Sequence, residues 1–197
     1  MPLGVASPRI RNGDLFLFRR HGPIGWMISA AGRSDYCHCE LAGWWNCRIF
    51  SLGMTSRGGG RAVCLEQLVA ANPGRIDWYK ANSGGRWPEY QPQRALYQMQ
   101  GFLGRRYGWR SIFAAAVRRA PLLRLLVRTS ADDLLESRWP PVCSEAIANA
   151  TRAGGVDPVP WLADCCTEPA DLARSSFFGY VGTLYPSDHA EVAAWKP

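Results

Sequence analysis

No apolar run in the chain approaches the roughly 20 residues that a bilayer-crossing helix needs. The stretch from Met1 to Asn12 lacks the apolar centre of a secretory signal. These absences predict a cytoplasmic protein, or one exported by a route without a recognisable signal, and no transmembrane segment. There is no internal repeat and no low-complexity tract, which suits a single domain. Cysteine is present but unpaired in pattern. Seven is an odd number, the spacings match no disulfide framework, and Cys165 and Cys166 are adjacent, so most thiols are read as reduced. Acidic residues are missing between Tyr90 and Ala131, where eight arginines fall. The net charge of +7 less those eight leaves −1 for the rest of the chain. The basicity is therefore local, and implies a local anionic partner more than a basic protein.

What is present suits one compact domain over residues 1–197, with 47% hydrophobic and 20% charged residues. Strand signals cluster early. Leu15-Phe16-Leu17-Phe18 follows the turn at Arg11–Asp14. Tyr36–Trp45 and Cys47–Met54 flank a turn at Asn46. Arg61–Cys64 follows a flexible tip at Gly58-Gly59-Gly60, and Arg75–Lys80 comes next. Helical signals dominate later, at Pro92–Leu103, after Cys143, and at Pro169–Arg174, with one turn of helix over Trp161–Cys166 and a last strand at Phe177–Leu184. Short helices are also read at Ile24–Ala31, Leu65–Ala71, Ser111–Val117 and Leu122–Arg128. Strands first and helices mostly later predict an α+β fold, a small antiparallel sheet packed against helices.

The segment with the most chemical content is Pro140-Pro141-Val142-Cys143-Ser144-Glu145-Ala146-Ile147. Two prolines force an extended approach, and the pattern turns helical after them. Cys143 therefore falls at a helix N-terminus, where unpaired N–H groups and the helix dipole favour a thiolate. The same N–H groups can stabilise an oxyanion. The plainer alternative is a small apolar residue packing a helix on a sheet. Of three histidines, His21 lies in a basic loop and His189 near the C-terminus. Only His38 begins a strand with an acidic residue, Glu40, two positions on, where alternation places both on one face and Cys37, Cys39 and Leu41 on the other. A thiol, a base and an orienting third group make a cysteine nucleophile. The alternative for His38 is a satisfied core histidine.

Gly13-Asp14-Leu15-Phe16-Leu17-Phe18, then Ser34-Asp35-Tyr36-Cys37-His38-Cys39-Glu40-Leu41, then Tyr107-Gly108-Trp109, Cys143-Ser144-Glu145 and Pro169-Ala170-Asp171-Leu172 occur in that order. Together they resemble the circularly permuted papain-like amidases of the NlpC superfamily, the YaeF/YiiX group, over about residues 13–184. The resemblance implies a permuted papain-like fold, with Cys143 as nucleophile, His38 as base and no metal or other cofactor. Glu40 is the third residue, with Asn46, Arg48 or Ser51 as alternatives on the following strand. Tyr107 and Trp109 line the groove, and Tyr36, Asp14 and Ser144 join them in substrate binding. The family's Tyr-Asp-Trp reads Tyr107-Gly108-Trp109 here, which removes one side chain. A basic helical insertion at about residues 110–138 has no counterpart.

The implied activity is a cysteine amidase or peptidase working through an acyl-thioester, on cell-wall peptides first and lipid-linked amides or esters second. Acyltransferases share the same His-then-Cys order. Two other classes compete. The run from Arg105 to Arg128 mixes arginine with leucine, which favours an anionic membrane or a partner protein over nucleic acid for a non-catalytic platform. Zinc held by Cys37, His38, Cys39 and Cys47 is opposed by strand alternation, which splits the donors between faces.

Overall fold

The computed structural model describes residues 1–108 and 141–187. Its six strands are β1 (Leu15–Arg19), β2 (Tyr36–Trp45), β3 (Arg48–Thr55), β4 (Gly59–Cys64), β5 (Ile76–Ala81) and β6 (Phe178–Leu184). They form one sheet in the order β4-β3-β2-β1-β5-β6, antiparallel throughout. The helices are α1 (Leu3–Ala6), α2 (Gly22–Ala31), α3 (Leu65–Ala71), α4 (Pro92–Gln100), α5 (Cys143–Ala153) and α6 (Pro169–Arg174). The α+β class expected from the sequence is the class observed.

β1 is central because it is apolar on both faces. Leu15 and Leu17 face a core completed by Leu41, Leu52, Met54 and, from α4 and α5, Leu96, Met99, Ala146, Ile147 and Ala150. Phe16 and Phe18 face a second core built with Leu65, Leu68 and Val69 of α3, Trp78, and Leu3, Ala6 and Ile10 of the N-terminal segment. The helical turn at Leu3–Ala6 carries no signal in the sequence. It is held from outside, by Leu3 N–H donating to the Tyr185 carbonyl and Tyr185 N–H to that of Met1.

Three local expectations change. Cys47 is not the start of a strand. It shares the β2–β3 turn with Asn46, and both have positive φ, 45° and 61°. Two successive left-handed residues make the turn whose twist matches a two-residue hairpin. The glycines at 58–60 are not simply a flexible tip, because Gly59 and Gly60 belong to β4 and take a backbone against them. Between Trp161 and Cys166 only Asp164–Cys166 coils, as a short 3-10 turn. The helices expected at Ser111–Val117 and Leu122–Arg128, the insertion at 110–138 and most of the arginine run lie outside the described residues. Among the described residues no helix is long and apolar enough to cross a membrane.

Candidate active site

Cys143 is the first residue of α5. Val142 approaches in extended conformation, φ −84° and ψ 173°. The Val142 N–H donates to Glu145 Oε2 at 3.2 Å, closing the first turn from the side chain. Ile147 and Ala150 then anchor α5 in the core, and Cys143 sits in the same cluster, 4% exposed.

β2 carries the partner groups. Phe18 pairs with His38 and Arg19 with Tyr36, so one extra residue, Cys37, is accommodated at the start of the strand. A bulge raises local twist and re-aims nearby side chains. His38 adjoins it. Its ring packs on Phe18 with centroids 5.2 Å apart, and also lies against the Cys143 thiol. Burial alone would lower the imidazole's pKa, but Cys143 and Glu40 outweigh it and raise it. His38 Nε2 is 3.0 Å from Glu40 Oε1, which leaves Nδ1 as the ring's other polar atom. Glu40 is fully buried. Desolvation opposes its charge, yet His38, Ser51 and Arg61 together hold its pKa below the usual carboxylate value.

Cys39 leaves β2 on the face covered by α5, and its thiol and backbone both meet Cys143. The Cys39 contact is the largest influence on Cys143. With His38 it overcomes burial and brings the Cys143 pKa well below that of an ordinary thiol. Burial drives the Cys39 thiol the opposite way, above the value of an ordinary thiol. The Tyr107 hydroxyl also reaches the Cys143 thiol and backbone. Cys143, His38, Glu40 and Tyr107 are thus brought together.

The other residues expected at the site have different positions. Asp14 is buried and spent on the fold, accepting from Arg11 N–H, Ala81 N–H and Trp78 Nε1. Ser144 faces away from the thiol and donates to the Thr167 carbonyl at 2.6 Å. The Tyr36 hydroxyl donates to the buried Asp77, 2.7 Å away, and lies 3.0 Å from that of Tyr79. Trp109 lies outside the described residues. Of the alternative third residues, Asn46 and Arg48 are at the far end of the hairpin and only Ser51 lies beside Glu40. Cys39 alternates onto the face opposite Glu40, and Gly53 and Arg61 belong to other strands, so no local pattern in the sequence points to these three.

The four zinc donors considered do not converge. Cys47 lies in the turn beyond the far end of β2, and the seven steps along the strand from His38 to Trp45 alone span about 23 Å at roughly 3.3 Å per residue. Among the described residues no group of three or more His, Cys, Asp or Glu is placed to hold a metal ion.

Glu145 supports a prediction of its own. Burial is the main cause that pushes its carboxyl up to about 7 from 4.5, with Val142 N–H opposing and Asp164 adding to it. A carboxyl raised in the folded state favours folding below its unfolded pKa and loses that contribution as pH rises through 7. Glu145→Gln keeps an acceptor for Val142 and removes the charge. Thermal unfolding should show the variant more stable than the native protein at pH 8, by about 2 kcal/mol, and equal to it near pH 4.5. An equal difference at both pH values would show that Glu145 does not titrate in this range.

No family model matches the chain, and no curated protein sequence matches it. Among solved structures it is similar to the crystal structure of "metalloprotein yiiX" from Escherichia coli O157:H7, DUF1105. The TM-score is 0.62 at 16% identity, over 89% of this chain and 98% of that one. The likeness is one of fold.

Proposed function

We propose that the protein is a cysteine hydrolase of permuted papain-like architecture that cleaves an amide bond through an acyl-thioester. The observation that carries this reading is the Cys143 thiol at the first turn of α5, beside an imidazole whose Nε2 is bound by a buried carboxylate. Cys143 Sγ attacks the carbonyl carbon. The oxyanion gathers at the Cys143 N–H and the Tyr107 hydroxyl. The C–N bond breaks, and the amine leaves with the proton held by His38. Water then attacks the thioester. His38 takes its proton, the acid departs, and the Cys143 sulfur is restored. Glu40 holds the ring in orientation throughout and stabilises its charge.

The solved neighbour is described as a metalloprotein; among the described residues of this chain no group of three or more His, Cys, Asp or Glu is placed to hold a metal ion, and the steps above use none. Cell-wall peptides are the first substrate class and lipid-linked amides or esters the second. The test is intact mass after brief exposure to panels of both. An acyl adduct on Cys143 that is lost over time, and never appears in Cys143→Ala, supports hydrolysis. Transfer of the acyl group to an added amine or alcohol in preference to water would make it an acyltransferase. No adduct from either panel, with an unreactive Cys143, would overturn the reading.

A further inference from the structure

Glu40 is 0% exposed, yet only Oε1 has a hydrogen-bond partner, His38. Oε2 is buried without one, and Ser51 Oγ beside it falls short of hydrogen-bond geometry. A buried carboxylate in this state needs a compensating charge or it takes a proton. The sheet supplies one from two strands away. Arg61 on β4 pairs with Gly53 on β3, and Gly53 lies alongside Glu40. Gly53 has no side chain. A Cβ there would come within 2.3 Å of Glu40 Cγ and 2.9 Å of Oε1. The Glu40 side chain itself therefore lies over Gly53, and the Arg61 guanidinium lies 3.9 Å from its Oε1.

We propose that Arg61 is a positioning residue for this site: its guanidinium pairs with the buried Glu40 carboxylate, whose side chain lies over Gly53, and so holds Glu40 on the His38 ring. The proposal rests on the functional reading above and extends it by one residue, since Arg61 touches neither the thiol nor the imidazole. The titratable groups facing Glu40 are His38 from its own strand and Arg61 from β4. Through His38 it meets Cys143, which in turn meets Cys39 and Tyr107. With Arg61 removed, Glu40 protonates more readily, the imidazolium loses its partner, and the thiolate forms at higher pH.

The experiment follows the rate of Cys143 alkylation by iodoacetamide from pH 4 to 9 in the native protein, Arg61→Gln and Arg61→Lys. No substrate is needed. Arg61 is nearly half exposed, so solvent screens the pair. The Gln variant should move the acid limb up by about half a pH unit, which is about a 3-fold slower reaction near pH 6. The Lys variant should restore most of the native profile, which a purely structural role would not. Superimposable native and Gln profiles would overturn the proposal alone. A native protein whose Cys143 is not selectively alkylated would overturn the functional reading and this proposal with it.

Discussion

Treated with a few equivalents of iodoacetamide near pH 6, the protein gains one adduct, on Cys143, while its six other thiols stay unmodified. Alkylation follows the thiolate, and the thiolate is where Cys39 and His38 surround the sulfur with donors. Burial drives Cys37 and Cys39 the other way. Cys47 is exposed in the β2–β3 turn and is the natural competitor. Cys47→Ser should leave the labelling unchanged. His38→Ala removes both the charge that stabilises the thiolate and the proton acceptor, so its labelling at pH 6 should slow by about 100-fold and its turnover by at least as much. Glu40→Gln keeps the ring's partner but not its charge and should cost less, by about 10-fold. Peptide mapping checks the site of the adduct. First labelling at Cys47 or Cys165, or a His38→Ala protein that reacts at the native rate, would dismiss Cys143 as the nucleophile.

Much of this arrangement was legible in the sequence because it depends on local rules. The prolines before Cys143 set the start of α5, and the chain between Leu15 and Phe18 had to be a doubly buried strand. The spacing of His38 and Glu40 placed them on one face, where they hydrogen-bond. What stayed hidden depends on pairing between strands. No local pattern says that Gly53 stands beside Glu40, or that Arg61 stands beyond it. The bulge at Cys37 likewise exists only relative to β1. Alternation correctly put Cys39 on the face opposite Glu40, but α5 covers that face and brings Cys143 onto it. A rule that gives direction along one strand cannot say what lies in that direction. The fold contacts of Asp14 and Ser144 are hidden from the sequence for a related reason. Each is polar and next to a motif, but their partners, Trp78 and Thr167, lie 64 and 23 residues away along the chain.

Replacing Gly60 should be among the most damaging single changes in the chain. A Cβ at Gly60 would lie 1.9 Å from the Phe102 carbonyl oxygen, 2.7 Å from its carbon and 3.0 Å from Leu103 Cα. All three are backbone atoms, so no rotamer change relieves the contact. The approach is held by two hydrogen bonds. Gly60 N–H donates to the Arg105 carbonyl at 2.9 Å, and Gly104 N–H to the Gly60 carbonyl at 2.8 Å. Gly59 adds to the constraint, with φ +65° and the Arg105 carbonyl 2.1 Å from its own would-be Cβ. β4 therefore serves as the seat for residues 102–105, and that segment leads directly to Tyr107 at the Cys143 thiol. Gly60→Ala must push the segment off the strand. Denaturant unfolding should show a loss of about 3 kcal/mol. Any protein that remains folded should have Tyr107 displaced, with turnover and Cys143 alkylation both reduced. Gly58→Ala is the control. Its Cβ would meet only the Thr55 hydroxyl at 3.1 Å and the outer part of the Arg61 side chain, so it should cost well under 1 kcal/mol. Equal stability of the two variants would mean that residues 102–105 do not need the glycine at 60 to dock.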